Sequence, residues 1–231
     1  MIAIVYSGSK NAFWKIISAG KIVAECTTPG MNPFFNDQKE ILHFLNKFSV
    51  LINNAESIRK IYVFAAGASS AERRNELAET LGLFFKYSKI SVKDDLYGAA
   101  ISACYNNSGI VGILGSGANC AYFDGKNPEK NNFGLGFILG DEGSSTYLGK
   151  ILIKSFIQEK LPKDLHKEFE TRYNLDRPQI LERMYKKPMV QHFLSSFFDF
   201  FLENRNHKYV LGLIDMAFET YFKTYLLPTT K

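Results

Sequence analysis

Long apolar runs, paired cysteines and basic clusters are all scarce in this chain of 231 residues, and each scarcity excludes something. No apolar stretch approaches the roughly 20 residues that a membrane helix needs, so no membrane partner is expected. The three cysteines, Cys26, Cys104 and Cys120, are odd in number and lack CxxC spacing. Neither a disulfide framework nor a zinc site is indicated, and a reducing, cytoplasmic setting is the expectation. The opening MIAIVYSG has neither the basic flank nor the apolar length of a signal peptide. Lys and Arg number 28 against 23 Asp and Glu, a surplus of +5 with no concentrated stripe, so nucleic acid is not an expected partner either. The four histidines (43, 166, 192 and 207) are scattered over helical positions in no ligand or nucleophile arrangement.

What remains is ordinary for a folded protein: 46% hydrophobic residues, among them 20 phenylalanines, over a length that can bury a proper core. IAIVY at 2–6 reads as a buried strand, and FWKIISAGKIVAECTT reads as two more joined at Ala19-Gly20, an antiparallel start of three strands. PGMNPFF breaks that pattern. A helix is predicted near Asp37–Asn53, with Ile41, Leu42, Leu45, Phe48 and Ile52 on one face. KIYVFAAG at 60–67 reads as a core strand, Ser70–Tyr87 as a helix, KISV at 89–92 as a short strand, and LYGAAISACY as a helix behind Asp94 and Asp95. GIVGILG at 109–115 reads as a buried strand with CAYFDG at 120–125 as its hairpin partner, and the chain from Gly143 onward is almost wholly helical. There Val190, Phe193, Leu194, Phe197, Phe198, Phe201 and Leu202 fall at three- and four-residue steps, a wide packing face. The expected fold is α/β in two lobes, 1–106 and 107–231, the second helix-rich.

Several short stretches could carry chemistry. Phosphate needs donors converging at close range, and backbone N–H groups supply them where glycine lets the chain turn sharply. Gly115-Ser116-Gly117-Ala118-Asn119 meets that need, with a hydroxyl added by Ser116; a polar hairpin turn is the alternative. Asp141 and Glu142 lie between Gly140 and Gly143, ahead of Ser144, Ser145 and an apolar helical run, where acidic and hydroxyl residues cap free N–H groups. Capping does not exclude ligand contact by the remaining carboxylate. Asp94 and Asp95 also precede a helix; one caps it, and the other could accept a proton as general base if it faces a cleft. Asn32 in GMNP could hold a turn or meet a sugar hydroxyl.

Taken together, YSGSKNAFWKI, TTPGMNPFF, KDDLYGAA, GILGSGANCAYFDG and GLGFILGDEGSSTYLGK resemble the N-acetylglucosamine kinase-like branch of the BadF/BadG/BcrA/BcrD ATPase family. That family belongs to the sugar kinase, actin and heat-shock chaperone superfamily. The matching stretches run in order from residue 1 to about 150. The resemblance implies two ribonuclease-H-like lobes with ATP and an amino sugar in a central cleft. It implies Asp95 as the base that deprotonates the sugar 6-hydroxyl for attack on the γ-phosphate. Asn32, Gly134, Leu135, Gly136 and Asp141 match the amino-sugar contacts. Gly8, Ser9 and Lys10 match the first phosphate loop, and Gly115, Ser116 and Gly117 the second. ATP and Mg2+ are the implied cofactors, with magnesium taking much of the phosphate charge.

The sequence departs from the family pattern in two places. The family's first hairpin starts with an aspartate that holds magnesium through water, where this chain has Tyr6, so no metal ligand is assigned. A protonated phenol cannot replace that carboxylate, and losing one preorganised electrostatic element costs on the order of 100- to 1000-fold in rate. The family also continues with a glycine-rich adenosine segment, so the second lobe is expected to be incomplete at YLLPTTK. These departures motivate a second expectation, a catalytically impaired sugar-binding relative. A third, the branch that activates a dehydratase through a shared iron–sulfur cluster, needs cluster cysteines; Cys104 and Cys120 fall in a helix and a strand, where small buried hydrophobes are common. The sequence leaves open which amino sugar is used and the oligomeric state, a homodimer included.

Overall fold

In a computed structural model that describes residues 1–129 and 131–229, Ile2–Ser7 form β1, with Ala3, Val5 and Ser7 buried and Ile2, Ile4 and Tyr6 on the other face. That period of two is the pleat itself. β2 (Asn11–Ser18) pairs antiparallel with β1 and with β3 (Lys21–Pro29). Ala19 and Gly20 turn between them with φ of 48° and 77°, the left-handed pair that a tight two-residue hairpin demands. The Ala19-Gly20 join expected from the sequence is thus in place.

The predicted helix over 37–53 is two helices, α1 (Gln38–Leu45) and α2 (Ser49–Asn54). Asp37 and Glu40 form a reciprocal capping box that starts α1. Asn46 stops it, its Nδ2 donating to the Leu42 carbonyl at 2.8 Å, and Phe48 is extended. The break changes the helical phase, so Leu51 is buried and Ile52, expected inside, is 47% exposed. β4 (Lys60–Ala65), α3 (Ala71–Phe84), β5 (Lys89–Asp94) and α4 (Asp95–Cys104) follow. α3 stops at Phe84, short of the predicted Tyr87.

β4 pairs parallel with β1, and β5 parallel with β4, giving one sheet in the order β3-β2-β1-β4-β5. This is the arrangement expected of a ribonuclease-H-like lobe. Helices α1, α2 and α3 cover the face bearing Ala3, Val5, Trp14 and Val63. Trp14 lies 5.8 Å from the Phe85 ring, and its indole N–H donates to Thr28 Oγ1 at 3.0 Å, so the polar edge of a buried ring is satisfied. α4 lies on the opposite face. Gly98 permits that approach, because a Cβ there would sit 2.7 Å from Phe64 Cβ.

The chain divides into two compact units, Met1–Gly109 with Phe123–Pro128, and Ile110–Tyr122 with the chain from Glu129 onward. The second unit holds most of a two-stranded sheet, β6 (Gly109–Leu114) and β7 (Ala118–Phe123). β6 is not the buried strand expected: only Val111 is buried, whereas Ala118, Cys120, Ala121 and Phe123 of β7 are. After the short α5 (Gly136–Leu139) come α6 (Ser145–Ile157), α7 (Lys163–Tyr173), α8 (Arg177–Lys186), α9 (Val190–Ser195), α10 (Phe198–Glu203) and α11 (Lys208–Tyr221). A five-residue π-helix (Phe222–Leu226) continues α11, and α12 (Leu227–Thr229) ends the described chain.

A phenylalanine core centred on Phe169, Phe197, Phe200 and Phe201 joins these helices. The single face predicted over 190–202 is broken at Ser196-Phe197, and Leu202 turns out to solvent at 47% exposure. Ser195 and Ser196 donate their hydroxyls to the carbonyls of His192 and Phe193, a local bonding that competes with helix continuation. Among the described residues no helix is long and apolar enough to cross a membrane.

Candidate active site

In the first unit, register alone lines up the candidate residues. Ser7 pairs with Ala65, and Ala65 with Asp94, so Gly8, Ala66 and Asp95 each lie one step past the same carboxyl edge of the sheet. Edges where parallel strands end are where α/β folds place ligands. Asp94 is the cap of α4, its Oδ1 accepting from the Tyr97 N–H at 2.7 Å. Asp95 is the carboxylate left over; its Oδ1 accepts from its neighbour, the Leu96 N–H, at 3.0 Å. Burial, and secondarily the charge of Asp94, push the Asp95 carboxyl up from 3.8 to about 6. The Tyr6 phenol is raised by burial and by the nearby Asp95 carboxylate, so it is a neutral hydroxyl at physiological pH.

The loop Gly8-Ser9-Lys10 closes β1 onto β2, with the Gly8 N–H donating to the Asn11 carbonyl at 3.0 Å. It rests on Gly30, where a Cβ would lie 2.3 Å from the Gly8 carbonyl oxygen; the Gly30 N–H donates to the Lys10 carbonyl at 3.0 Å. Ser7 Oγ accepts from the Met31 N–H at 2.7 Å, fixing the next residue, Asn32. Asn32 is only 4% exposed. Its Oδ1 accepts from the Phe34 N–H at 2.9 Å, and its Nδ2 reaches Ser9 Oγ at 3.4 Å. The turn role is therefore real, and it aims the amide at the phosphate-type loop. Gly67, with φ of 78°, lies directly against that amide: a Cβ there would be 2.0 Å from Asn32 Oδ1. Asp95, Asn32 and Gly8–Lys10 thus gather at one sheet edge. Gly67 belongs with them and was not singled out from the sequence, although an apolar strand running into AAGASS is the signal for such a turn.

In the second unit, Gly115-Ser116-Gly117 joins β6 to β7, with the Gly115 N–H donating to the Gly117 carbonyl at 2.9 Å. The loop carbonyls are occupied as well. Gly115 O accepts from the Ser145 N–H at 2.9 Å, and Ser116 O from Thr146 Oγ1 at 2.5 Å. The N–H groups of Ser116 and Gly117 and the Ser116 hydroxyl have no acceptor among the described residues, which leaves the loop rich in free donors. That is the requirement for an anion cradle.

Asp141 stands against this loop. Its Oδ1 accepts from the Ala118 N–H at 3.0 Å, and a Cβ on Gly117 would lie 3.1 Å from the same oxygen. It is 4% exposed and takes φ of 62°, rare for a residue with a side chain. Burial raises the Asp141 carboxyl, opposed by the Ala118 N–H and by Lys150. Lys150 is lowered by burial, and its ammonium donates to the Phe137 carbonyl at 2.6 Å. The capping expected of the 141–145 stretch falls to Ser144, whose Oγ accepts from the Tyr147 N–H at 3.1 Å, so the Asp141 carboxylate is not the cap of α6. Gly134 and Gly136 both have positive φ (73° and 74°), and Leu135 between them is 59% exposed. Gly134 lies beside the Asn119 amide, and α5 carries the chain from Gly136 back to Gly140 and Asp141.

No protein-family model matches the chain, and no curated protein matches it. Crystal structures do. One, named "Putative N-acetylglucosamine Kinase" from Porphyromonas gingivalis, is 34% identical with a TM-score of 0.91, over 99% of this chain and 81% of that one. A second of the same name, from Chromobacterium violaceum, has a TM-score of 0.69 over 96% of this chain and 80% of that one. At 14% identity the second likeness is one of fold.

Proposed function

The chain belongs to the N-acetylglucosamine kinase-like family of sugar kinases, and from that premise we propose that it phosphorylates an amino sugar of N-acetylglucosamine type at the 6-hydroxyl, with ATP as donor. The observation that carries the proposal is Asp95: a largely buried carboxylate, spared from helix capping by Asp94, at the sheet edge that also holds Asn32 and the Gly8–Lys10 loop. In this reading 1–106 and 107–231 are the two lobes.

Asp95 accepts the 6-hydroxyl proton as that oxygen attacks the γ-phosphorus in line. A base whose pKa lies about 6 is ionised at neutral pH yet still basic enough to take the proton. Asn32 offers one donor and one acceptor to sugar hydroxyls. Gly134, Leu135, Gly136 and Asp141 hold the amino-sugar ring. The free donors at Ser116 and Gly117, with Ser9 and Lys10, hold phosphate oxygens, and most of the catalysis is positioning and charge stabilisation.

The free donors of the second unit's Gly115–Gly117 loop suit phosphate oxygens. Among the described residues no three His, Cys, Asp or Glu side chains gather to hold a metal, and magnesium does not require it, since it binds chiefly through substrate phosphates with one or two carboxylates. Asp94 and Asp95 are the carboxylates at the first unit's edge that could meet it. Held there, magnesium would supply neutralisation of the phosphate charge.

Incubation with ATP, Mg2+ and N-acetylglucosamine should yield a 6-phosphate, and Asp95→Asn should slow its formation by about 100- to 10,000-fold. Absence of turnover at any practical enzyme concentration refutes an active kinase. Tyr6 favours a second reading, a sugar-binding relative without catalysis, because its phenol stays neutral where the family has a carboxylate. Calorimetry separates the two: the second reading gives sugar binding without affinity for magnesium–ATP.

A further inference from the structure

The proposed sugar grip depends on Asp141, and its backbone conformation is an unfavourable one. A residue with a side chain is uncommon at positive φ and persists there only where its surroundings enforce it. The enforcing group is far away in sequence. Tyr225, 2% exposed and within the π-helix that continues α11, accepts the Asp141 N–H on its phenolic oxygen at 3.0 Å. The same hydroxyl donates to Glu142 Oε2 at 2.8 Å. One oxygen atom therefore ties two consecutive residues of the Gly140–Gly143 loop.

The rest of that turn reinforces the hold. Tyr221, whose ring lies 5.1 Å from that of Tyr225, donates to the Asn119 carbonyl at 3.1 Å. Two glycines make room for it. A Cβ at Gly112 would lie 2.2 Å from the Tyr221 hydroxyl, and one at Gly143 would lie 2.7 Å from Tyr221 Cβ. Phe133 closes edge-on against Tyr225 with ring centroids 5.1 Å apart. The last residue of α11 and the π-helix that follows thus present two phenols, Tyr221 and Tyr225, to the strands and loop that bear Asn119 and Asp141. Single π turns inserted in helices recur at functional sites for this reason: they re-aim side chains without ending the helix.

We propose that Tyr225 is a positioning residue for amino-sugar binding, its hydroxyl fixing Asp141 in the left-handed conformation that presents the free carboxylate oxygen to the sugar. The inference rests on the reading that Asp141 holds the sugar. Without the phenolic oxygen, the buried Asp141 N–H has no acceptor, and the loop gains by relaxing to an ordinary φ.

Tyr225→Phe deletes that one atom and keeps the ring contacts. Calorimetry without ATP should show N-acetylglucosamine binding about tenfold weaker, equivalent to about 1.4 kcal/mol. Steady-state kinetics should show KM for the sugar raised by a similar factor, with kcat and KM for ATP within twofold of wild type. Hydrogen exchange at the Asp141 amide, measured without ligand, should accelerate at least tenfold. Glu142→Gln leaves an acceptor for the phenol and should stay within twofold in every readout. Unchanged sugar affinity or unchanged exchange in Tyr225→Phe overturns the inference, as does a Glu142→Gln variant that behaves like it. Wild-type protein that binds no amino sugar overturns the functional reading as well, whereas sugar binding that ignores Tyr225→Phe overturns this inference alone.

Discussion

Asp95→Asn should make the protein more stable while removing most of its activity. The Asp95 carboxyl is raised from 3.8 to about 6, first by burial and then by the charge of Asp94. Raising a pKa by one disfavours the charged form by about 1.4 kcal/mol, so a rise of about two sets a ceiling of about 3 kcal/mol on the cost of keeping this group ionised. Solvent reaches part of the side chain, which reduces the figure to about 1–3 kcal/mol. Asparagine keeps the oxygen that accepts from Leu96 and carries no charge. The sign follows from the order of the two pKa values. Below pH 3.8 both the folded and the unfolded chain hold the proton, and the penalty is absent. It grows as pH rises from 3.8 to about 6 and is complete above, because there the folded protein must ionise a group that resists it. Urea unfolding of both proteins from pH 4 to pH 8 should therefore give curves that coincide at the acid end and separate by about 1–3 kcal/mol at pH 7, the variant higher. A gap that does not change with pH, or a variant less stable at pH 7, refutes the assignment of Asp95 as a strained ionised group. In the kinase assay the same variant should lose about 100- to 10,000-fold in kcat, the usual contribution of a general base. The wild-type kcat/KM should fall with unit slope below pH of about 6.

Gly67→Ala should weaken sugar binding at least tenfold by calorimetry, because its Cβ would enter the Asn32 amide at 2.0 Å and its φ of 78° resists a side chain. Tyr6→Asp should raise magnesium-dependent turnover and, in magnesium-free buffer, shift the acid limb of sugar binding upward, since a second carboxylate would join Asp94 in opposing ionisation of Asp95; turnover that is lost or unchanged refutes it. Gly149→Ala should lower the unfolding midpoint by an amount equivalent to about 1–3 kcal/mol of overpacking, because its Cβ would lie 2.0 Å from the Leu194 carbonyl oxygen in the helical unit; an unchanged midpoint would show that α6 and α9 can separate freely.

The first sheet was legible because each of its strands is short, alternating and closed by a turn whose residues match the turn. Ala19-Gly20 is the plainest case. Asp94-Asp95 was legible as a helix-start pair, with capping the favoured role for both and a base role open to one; the hydrogen bonds give the cap to Asp94 and leave Asp95 accepting from Leu96. Helix phase was less so. Periodicity runs on through Asn46-Lys47-Phe48 and through Ser196-Phe197, whereas the backbone breaks at both places through local side-chain bonds that a hydrophobic repeat does not register. β6 misled for a related reason: GIVGIL is apolar enough for a core strand, yet it lies in a two-stranded sheet and buries little besides Val111. The Tyr225 contact could not have been read at all. It joins residues 84 apart, and no local pattern distinguishes that tyrosine from the others in the helix.

Tyr6 looks at first like a simple loss, and electrostatics makes it an exchange. An aspartate at that position would lie near Asp95 and, with Asp94, put three negative charges around one sheet edge. Such a group ionises fully only when a cation joins it, so the base would be tied to the metal. With a neutral phenol there, Asp95 keeps a carboxyl at about 6 set mainly by burial, ionised at neutral pH before any nucleotide arrives. The consequence is a division of labour. The proposed base and the proposed Asn32 contact are ready without metal, while the cation would depend chiefly on the triphosphate for its ligands. Sugar affinity should then be insensitive to magnesium, and any weakness of the proposed enzyme should be concentrated in the phosphoryl-transfer step.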